Sequence, residues 1–238
     1  MHLTRIAIDV RRSPAPERYP FRLRVLRATG RIELQSPVSF FVGENGTGKS
    51  TLLRAVARRC GIHIWKPDDW TRVDSNPYES RLHEFIAVQW CDGPVPGSYF
   101  DAEIARHFAE YLDEWAVADP GMLDYFGGRS LLTQSHGQSL MSFFRARYQY
   151  RGLYLLDEPE TALSPKSLLK MVRLLQAASA KGHAQFIIAT HSPILMACPG
   201  AVIYSFDHVP VRTVPYTDTE HYRLYRAFME DPESFLED

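Results

Sequence analysis

Val38-Ser39-Phe40-Phe41-Val42 runs directly into Gly43-Glu44-Asn45-Gly46-Thr47-Gly48-Lys49-Ser50-Thr51. The first five residues are the short apolar run of a buried strand, and the next nine match the spacing G-x-x-x-x-G-K-[ST]. Each part of that spacing has a physical purpose. Glycines let backbone N–H groups converge on phosphate oxygens, and the start of the following helix adds partial positive charge. Lys49 reaches the β and γ phosphates, and the Ser50 hydroxyl is placed for Mg²⁺. The helix should turn Leu52, Leu53, Val56 and Ala57 inward and stop at Gly61. The unit is strand, phosphate loop, helix.

Working outward, Ile6, Ile8 and Val10 alternate as a strand. Leu153-Tyr154-Leu155-Leu156 and Phe186-Ile187-Ile188-Ala189 are two more buried-strand runs, and a further strand is expected from Val202 to Phe206. Between them lies a helix with Ser164 as N-cap, Pro165 at its first position and Gly182 just past its end. A terminal helix is expected from about Thr219. Apolar strands alternating with helices predict an α/β fold, a mostly parallel sheet covered on both faces. Residues 62–149 read as an inserted, mainly helical lobe between the two parts, 1–61 and 150–238, of one nucleotide-binding domain. The clearest helix in that lobe carries Ile104, Phe108, Tyr111, Leu112 and Trp115 on one face.

A phosphate loop serves kinases, GTPases and ATPases alike, so other residues must choose among them. Asp157-Glu158 follows a buried strand, at the sheet edge where ligands bind. Asp157 can serve Mg²⁺, and Glu158 can orient and deprotonate an attacking water, which favours hydrolysis over transfer. Thr190-His191-Ser192-Pro193 ends the next strand, which aims His191 at the γ-phosphate or that water. No Ser/His/Asp or Cys/His hydrolase arrangement stands out.

The 238 residues carry a formal net charge of −1, which excludes a global pull toward nucleic acid or anionic membrane. Locally the picture differs. Residues 1–60 hold twelve basic side chains against four acidic, and residues 201–238 three against eight. The basic segment fits either an anionic ligand, including nucleic acid, or a solvated arginine-rich surface. Cys60, Cys91 and Cys198 form no metal or disulfide spacing. With no signal-peptide pattern and no apolar run of the ~18 residues a membrane span needs, the chain reads as cytoplasmic without membrane insertion.

Together these residues resemble the ABC-type ATPases, which include transporter motors and the SMC and RecF proteins. Ser135-His136-Gly137-Gln138 is similar to that family's S-G-G-Q signature, with His136 for the first glycine and Gln134 where leucine is usual. Asp157-Glu158-Pro159-Glu160-Thr161-Ala162-Leu163-Ser164 resembles D-E-P-T-S-A-L-D, with Ser164 for the last Asp. A group of small soluble bacterial ATPases of RecF and SMC type is closer still. It shares D-E-P-E-x-A-L-S-P, here Asp157 to Pro165, and A-T-H-S-P-I-L, here Ala189 to Leu195.

The resemblance implies ATP and Mg²⁺ as cofactors, with Gly43 to Thr51 around the phosphates and Lys49, Glu158 and His191 at the reaction. It also implies an ATP-dependent, head-to-tail homodimer in which Ser135, Gly137 and Gln138 reach the nucleotide of the other protomer. A nucleic acid or effector protein would be the partner. The family's glutamine at the Mg²⁺ site has Gln89 as its candidate, which is otherwise a plain strand residue. The adenine-stacking aromatic has Tyr19 or Phe21, which are otherwise packing residues. Ser164 is either a cross-dimer contact or only a helix cap. A transporter motor subunit and a slow nucleotide sensor are the competing readings.

Overall fold

The computed structural model describes residues 1–64, 76–101, 116, 117, 119, 121 and 136–236. Its strands are β1 (Leu3–Ile8), β2 (Arg31–Glu33), β3 (Val38–Val42), β4 (Ile86–Trp90), β5 (Gly97–Asp101), β6 (Gly152–Asp157), β7 (Ala184–Ala189), β8 (Val202–Ser205) and β9 (Arg212–Val214). The helices are α1 (Arg24–Ala28), α2 (Lys49–Arg59), α3 (His136–Arg147), α4 (Pro165–Ala180), α5 (Pro193–Met196) and α6 (Glu220–Glu230). The helix expected over Ile104 to Trp115 lies outside the described residues, as does Ser135.

Two sheets form. Six strands run in the order β5-β6-β7-β3-β8-β9, parallel except for β9, and three antiparallel strands run β2-β1-β4. The expected α/β class is what the chain adopts. Period-two alternation explains why the central strands look uniformly apolar. Phe41, Leu153, Leu155 and Ile187 face a core shared with α2 and the three-stranded sheet, while Phe40, Tyr154, Leu156, Phe186 and Ile188 face α3 and α4. Each fully buried Leu, Ile or Phe contributes roughly 1.5–3 kcal/mol, and both faces of the sheet are covered this way.

The boundary expected at residue 62 is corrected by these pairings. Ile86–Trp90 joins the three-stranded sheet beside β1, and Gly97–Asp101 pairs along β6 at the edge of the parallel sheet. Both strands lie inside the stretch read as a helical insert. Their short runs, with charged and glycine residues close by, gave no clear period.

Gln185 locks the sheets together. Fully buried on β7, its Oε1 accepts the backbone N–H groups of His2 and Leu3, both at 2.7 Å, and its Nε2 donates to the Leu3 carbonyl at 2.8 Å. A buried amide is tolerated because its partners satisfy it. The three cysteines are free thiols. Among the described residues no helix is long and apolar enough to cross a membrane. In the basic first sixty residues, Arg5, Arg12, Arg27, Arg31 and Arg54 each face a carboxylate, which compensates part of the positive charge.

Candidate nucleotide-binding and hydrolysis site

Parallel register brings four strand ends to one edge. Phe41 of β3 and Asp157 of β6 both lie level with Ala189 of β7, and Asp101 of β5 lies level with Asp157. The loop after β3, the carboxylates after β6 and the Thr190-His191 turn after β7 therefore converge where open α/β sheets bind ligands.

The loop needs its glycines. Gly43 has φ +143°, and a Cβ there would lie 2.8 Å from Asp207 Oδ1, which itself accepts the Glu44 N–H at 2.7 Å. Gly48 has φ +104° and begins α2 with no side-chain cap, which leaves the helix start open to an anion. Lys49 is buried, and its Nζ donates to the carbonyls of Gly43 (2.5 Å) and Glu44 (3.0 Å). Burial lowers its pKa, opposed by Glu158, Asp207, Asp157 and Glu44. Its ammonium thus spans the space inside the loop. Glu44, Asn45 and Gly46 are exposed, and Thr47 Oγ1 donates to the Glu44 carbonyl at 2.8 Å. Thr51 meets Tyr19, hydroxyl to hydroxyl, at 2.7 Å.

Ser50 Oγ donates to Asp157 Oδ1 at 2.7 Å. The other oxygen, Oδ2, accepts the Tyr99 hydroxyl at 2.8 Å, and Arg54 supports both, its Nε donating to the Tyr99 oxygen at 3.0 Å. Burial and the negative charge of Asp157 keep Tyr99 protonated far above its ordinary range, so it can only donate there. A serine hydroxyl and a carboxylate held together at a phosphate loop are hard oxygen donors. They fit Mg²⁺, which takes few protein ligands and fills its shell with phosphate and water. Among the described residues there is no group of three or more His, Cys, Asp or Glu side chains able to hold a metal.

Glu158 stands just beyond, at φ 47°, ψ 54°, the one non-glycine described with positive φ. A left-handed glutamate costs of order 1–3 kcal/mol and persists only where its surroundings enforce it. Here its N–H donates to the Ala189 carbonyl at 2.9 Å. Its Oε1 comes within 3.6 Å of His191 Nε2. Glu160 Oε1 accepts the His191 backbone N–H at 2.6 Å, and His191 Nδ1 lies 2.9 Å from His221 Nε2 of α6.

Of the residues expected from sequence, Gly43 to Thr51, Asp157, Glu158 and His191 come together. Gly137 and Gln138 fall in the first turn of α3, and a Cβ on Gly137 would lie 3.5 Å from the Ala162 carbonyl. Ser164 Oγ caps α4 by accepting the Ser167 N–H at 3.3 Å. Gln89 is corrected: it sits on β4 of the three-stranded sheet opposite Arg5, with an exposed side chain, because alternation along β4 turns Ala87 and Gln89 outward. The strand that ends beside Asp157 is β5. Of the two roles open to Phe21 the structure gives packing: it is fully buried with its ring 5.0 Å from Phe85 and 6.2 Å from Tyr78, whereas Tyr19 keeps partial exposure.

Tyr99, Arg54, Glu160, Asp207 and His221 join the site without being expected there from sequence. Asp207 had a legible signal, since it follows a predicted strand at the same sheet edge. The others depend on side chains meeting across elements.

A family model described as "AAA domain, putative AbiEii toxin, Type IV TA system" matches residues 133–197. The aliphatic sulfonates import ATP-binding protein SsuB of Mycobacterium avium (strain 104) is 27% identical over 215 residues, covering 84% of this chain and 83% of its own. The chain is similar to small P-loop ATPases of the ABC type. Among solved structures, cbiO1 of Clostridium perfringens, part of the ABC transporter complex cbiONQ, is 18% identical with a TM-score of 0.47, covering 87% of this chain and 90% of its own. The SMC head domain from Thermotoga maritima is 14% identical with a TM-score of 0.46, covering 90% and 99%. The family match spans β6, α4 and β7, and with them Asp157, Glu158 and His191.

Proposed function

We propose that the chain hydrolyses ATP with Mg²⁺ and that two protomers close head to tail over two nucleotides, the closure acting on a macromolecular partner. The observation that carries the reading is the convergence of Lys49, the Ser50–Asp157 bond, Glu158 and His191 at one sheet edge. On nucleotide binding, Lys49 exchanges its two loop carbonyls for phosphate oxygens, and the start of α2 adds its N–H groups. Mg²⁺ would be held by Ser50 and Asp157 and would neutralise charge developing on the phosphates. Tyr99 and Arg54 fix the Asp157 carboxylate, so its orientation is set before ligand arrives. Glu158 accepts a proton from the attacking water, and His191 steadies that water or the γ-phosphate through Nε2.

Closure adds a second anion contact. The first turn of α3, with Gly137 and Gln138 and the preceding Ser135, offers a helix start that a γ-phosphate held by another protomer would complete. Bound ATP joins the two protomers, and hydrolysis at Glu158 parts them. DNA or an effector protein would be the object of that cycle.

Light scattering of Glu158→Gln with and without Mg-ATP tests the reading. A monomer that becomes a dimer only with ATP supports it. A mass that ignores ATP, with binding confirmed, overturns closure of this chain on itself. It would favour a transporter motor that needs its membrane partner, the reading the import relative supports, or a slow nucleotide sensor.

A further inference from the structure

His221 is the second residue of α6, whose N-cap Thr219 accepts the Tyr222 N–H. No residue of α6 is fully buried, and Leu224, Tyr225, Phe228 and Met229 are exposed. The half-buried first turn nevertheless reaches the hydrolysis site. His221 Nε2 lies 2.9 Å from His191 Nδ1, with ring centroids 5.0 Å apart and planes at 60°. His191 Nε2 and His221 Nδ1 are both buried without a hydrogen bond, the former 3.6 Å from Glu158 Oε1.

With both rings neutral, one N–H is shared between the two imidazoles, and two arrangements are open. If His191 donated from Nδ1, its Nε2 lone pair would face the Glu158 carboxylate and His221 would bury an Nδ1–H with no acceptor. If His221 donates from Nε2, His191 carries its proton on Nε2, pointed at Glu158. Each arrangement leaves one N–H and one lone pair without a hydrogen bond, but in the second that N–H lies 3.6 Å from the Glu158 carboxylate. A carboxylate attracts an N–H and repels a lone pair, which favours the second.

We propose that His221 is a positioning residue for hydrolysis: by donating to His191 Nδ1 it holds His191 as the Nε2–H tautomer, a donor aimed at Glu158 and at the phosphate or water beside it. The proposal rests on the role given above to His191. Burial, then the positive charge of Lys49, lowers the His191 pKa, which favours the neutral ring in which a tautomer is there to be chosen. His191 is also held from behind, its backbone N–H bound by Glu160, so His221 needs only to set the proton. A C-terminal helix otherwise anchored by one turn thereby reaches the chemistry.

The test reads the proton directly. Side-chain ¹⁵N shifts of His191, recorded at pH 8 without nucleotide, should show Nε2 protonated and Nδ1 bare in the unmodified protein. They should show the same in His221→Gln, whose amide N–H can take the place of Nε2–H, and a mixture of tautomers in His221→Phe. In ATP turnover His221→Phe should lose roughly 10–100-fold in kcat with little change in KM, by analogy with removal of a partner that orients a metal-bound histidine. His221→Gln should recover most of that loss. An Nδ1–H tautomer in the unmodified protein, or unchanged shifts in His221→Phe, overturns the proposal. Wild-type turnover in His191→Ala, with the tautomer as expected, overturns instead the role of His191 on which it rests.

Discussion

The carboxylate of Glu160 accepts the backbone N–H of His191 at 2.6 Å, across 31 positions of sequence. This bond joins the turn after β6, where Glu158 stands, to the turn after β7, where His191 stands. The two turns are therefore one rigid unit, and their 3.6 Å side-chain approach is set by backbone as well as by rotamer. Burial raises the Glu160 pKa, only partly offset by the hydrogen bonds from His191, its own backbone and Thr190.

A pH effect on stability follows from that direction. A carboxyl whose native pKa is raised contributes stability below its unfolded value that is lost as pH rises through the native value. Above about pH 4.5, the ordinary glutamate value, the unmodified protein should lose stability relative to Glu160→Gln. Urea midpoints between pH 4.5 and 8 should show the variant gaining on the unmodified protein with pH, whatever their difference at the acid end. A constant gap would mean that Glu160 ionises as freely folded as unfolded.

Lys49→Ala and Glu158→Gln should separate binding from chemistry. Removing the ammonium that spans the loop should abolish tight ATP binding in calorimetry. Removing only the proton acceptor should leave affinity nearly intact while slowing turnover by about 10²-fold or more. Unchanged affinity in the first, or full turnover in the second, would reassign those residues.

Tyr99→Phe deletes the hydroxyl that holds Asp157 Oδ2 while keeping the ring in the core. Arg54, at 3.6 Å, remains as the nearby charge. The variant should lose about 1–3 kcal/mol of stability, as befits a hydrogen bond to a charged acceptor. It should also need more Mg²⁺ for half-maximal turnover, because the carboxylate is no longer pre-oriented. A Mg²⁺ titration identical to that of the unmodified protein would confine Tyr99 to packing.

Gln185→Leu keeps the volume of a buried side chain but strands two backbone N–H groups and one carbonyl between the sheets. At about 1–3 kcal/mol for each unsatisfied group, it should be among the most destabilising single changes in the fold. Chemical unfolding of the variant reads this, and hydrogen exchange should show β1 opening ahead of β7. Protection equal to the unmodified protein would mean the sheets are joined by packing alone.

Local features by themselves determined much of this protein. The phosphate loop, the strands β3, β6 and β7, the Ser164 and Thr219 caps and the α/β class are each written in short spans, where period, glycine spacing and capping residues act within a few positions. Because parallel strands end at one edge, the grouping of Lys49, Asp157, Glu158 and His191 was legible too. Tertiary structure alone decided the rest. The strands β4 and β5, as long as β3 but mixing apolar with polar residues, show no clear period, so only pairing with β1 and β6 revealed them, moved Gln89 away from the phosphate loop and brought Asp101 level with Asp157. Phe21 packs in the core because Tyr78 and Phe85 close over it. Tyr99 on Asp157, Glu160 on His191, Asp207 on the loop and His221 behind His191 are contacts between side chains and distant elements. Their partners are chosen by how the two sheets and α6 pack, which no periodicity along the chain records.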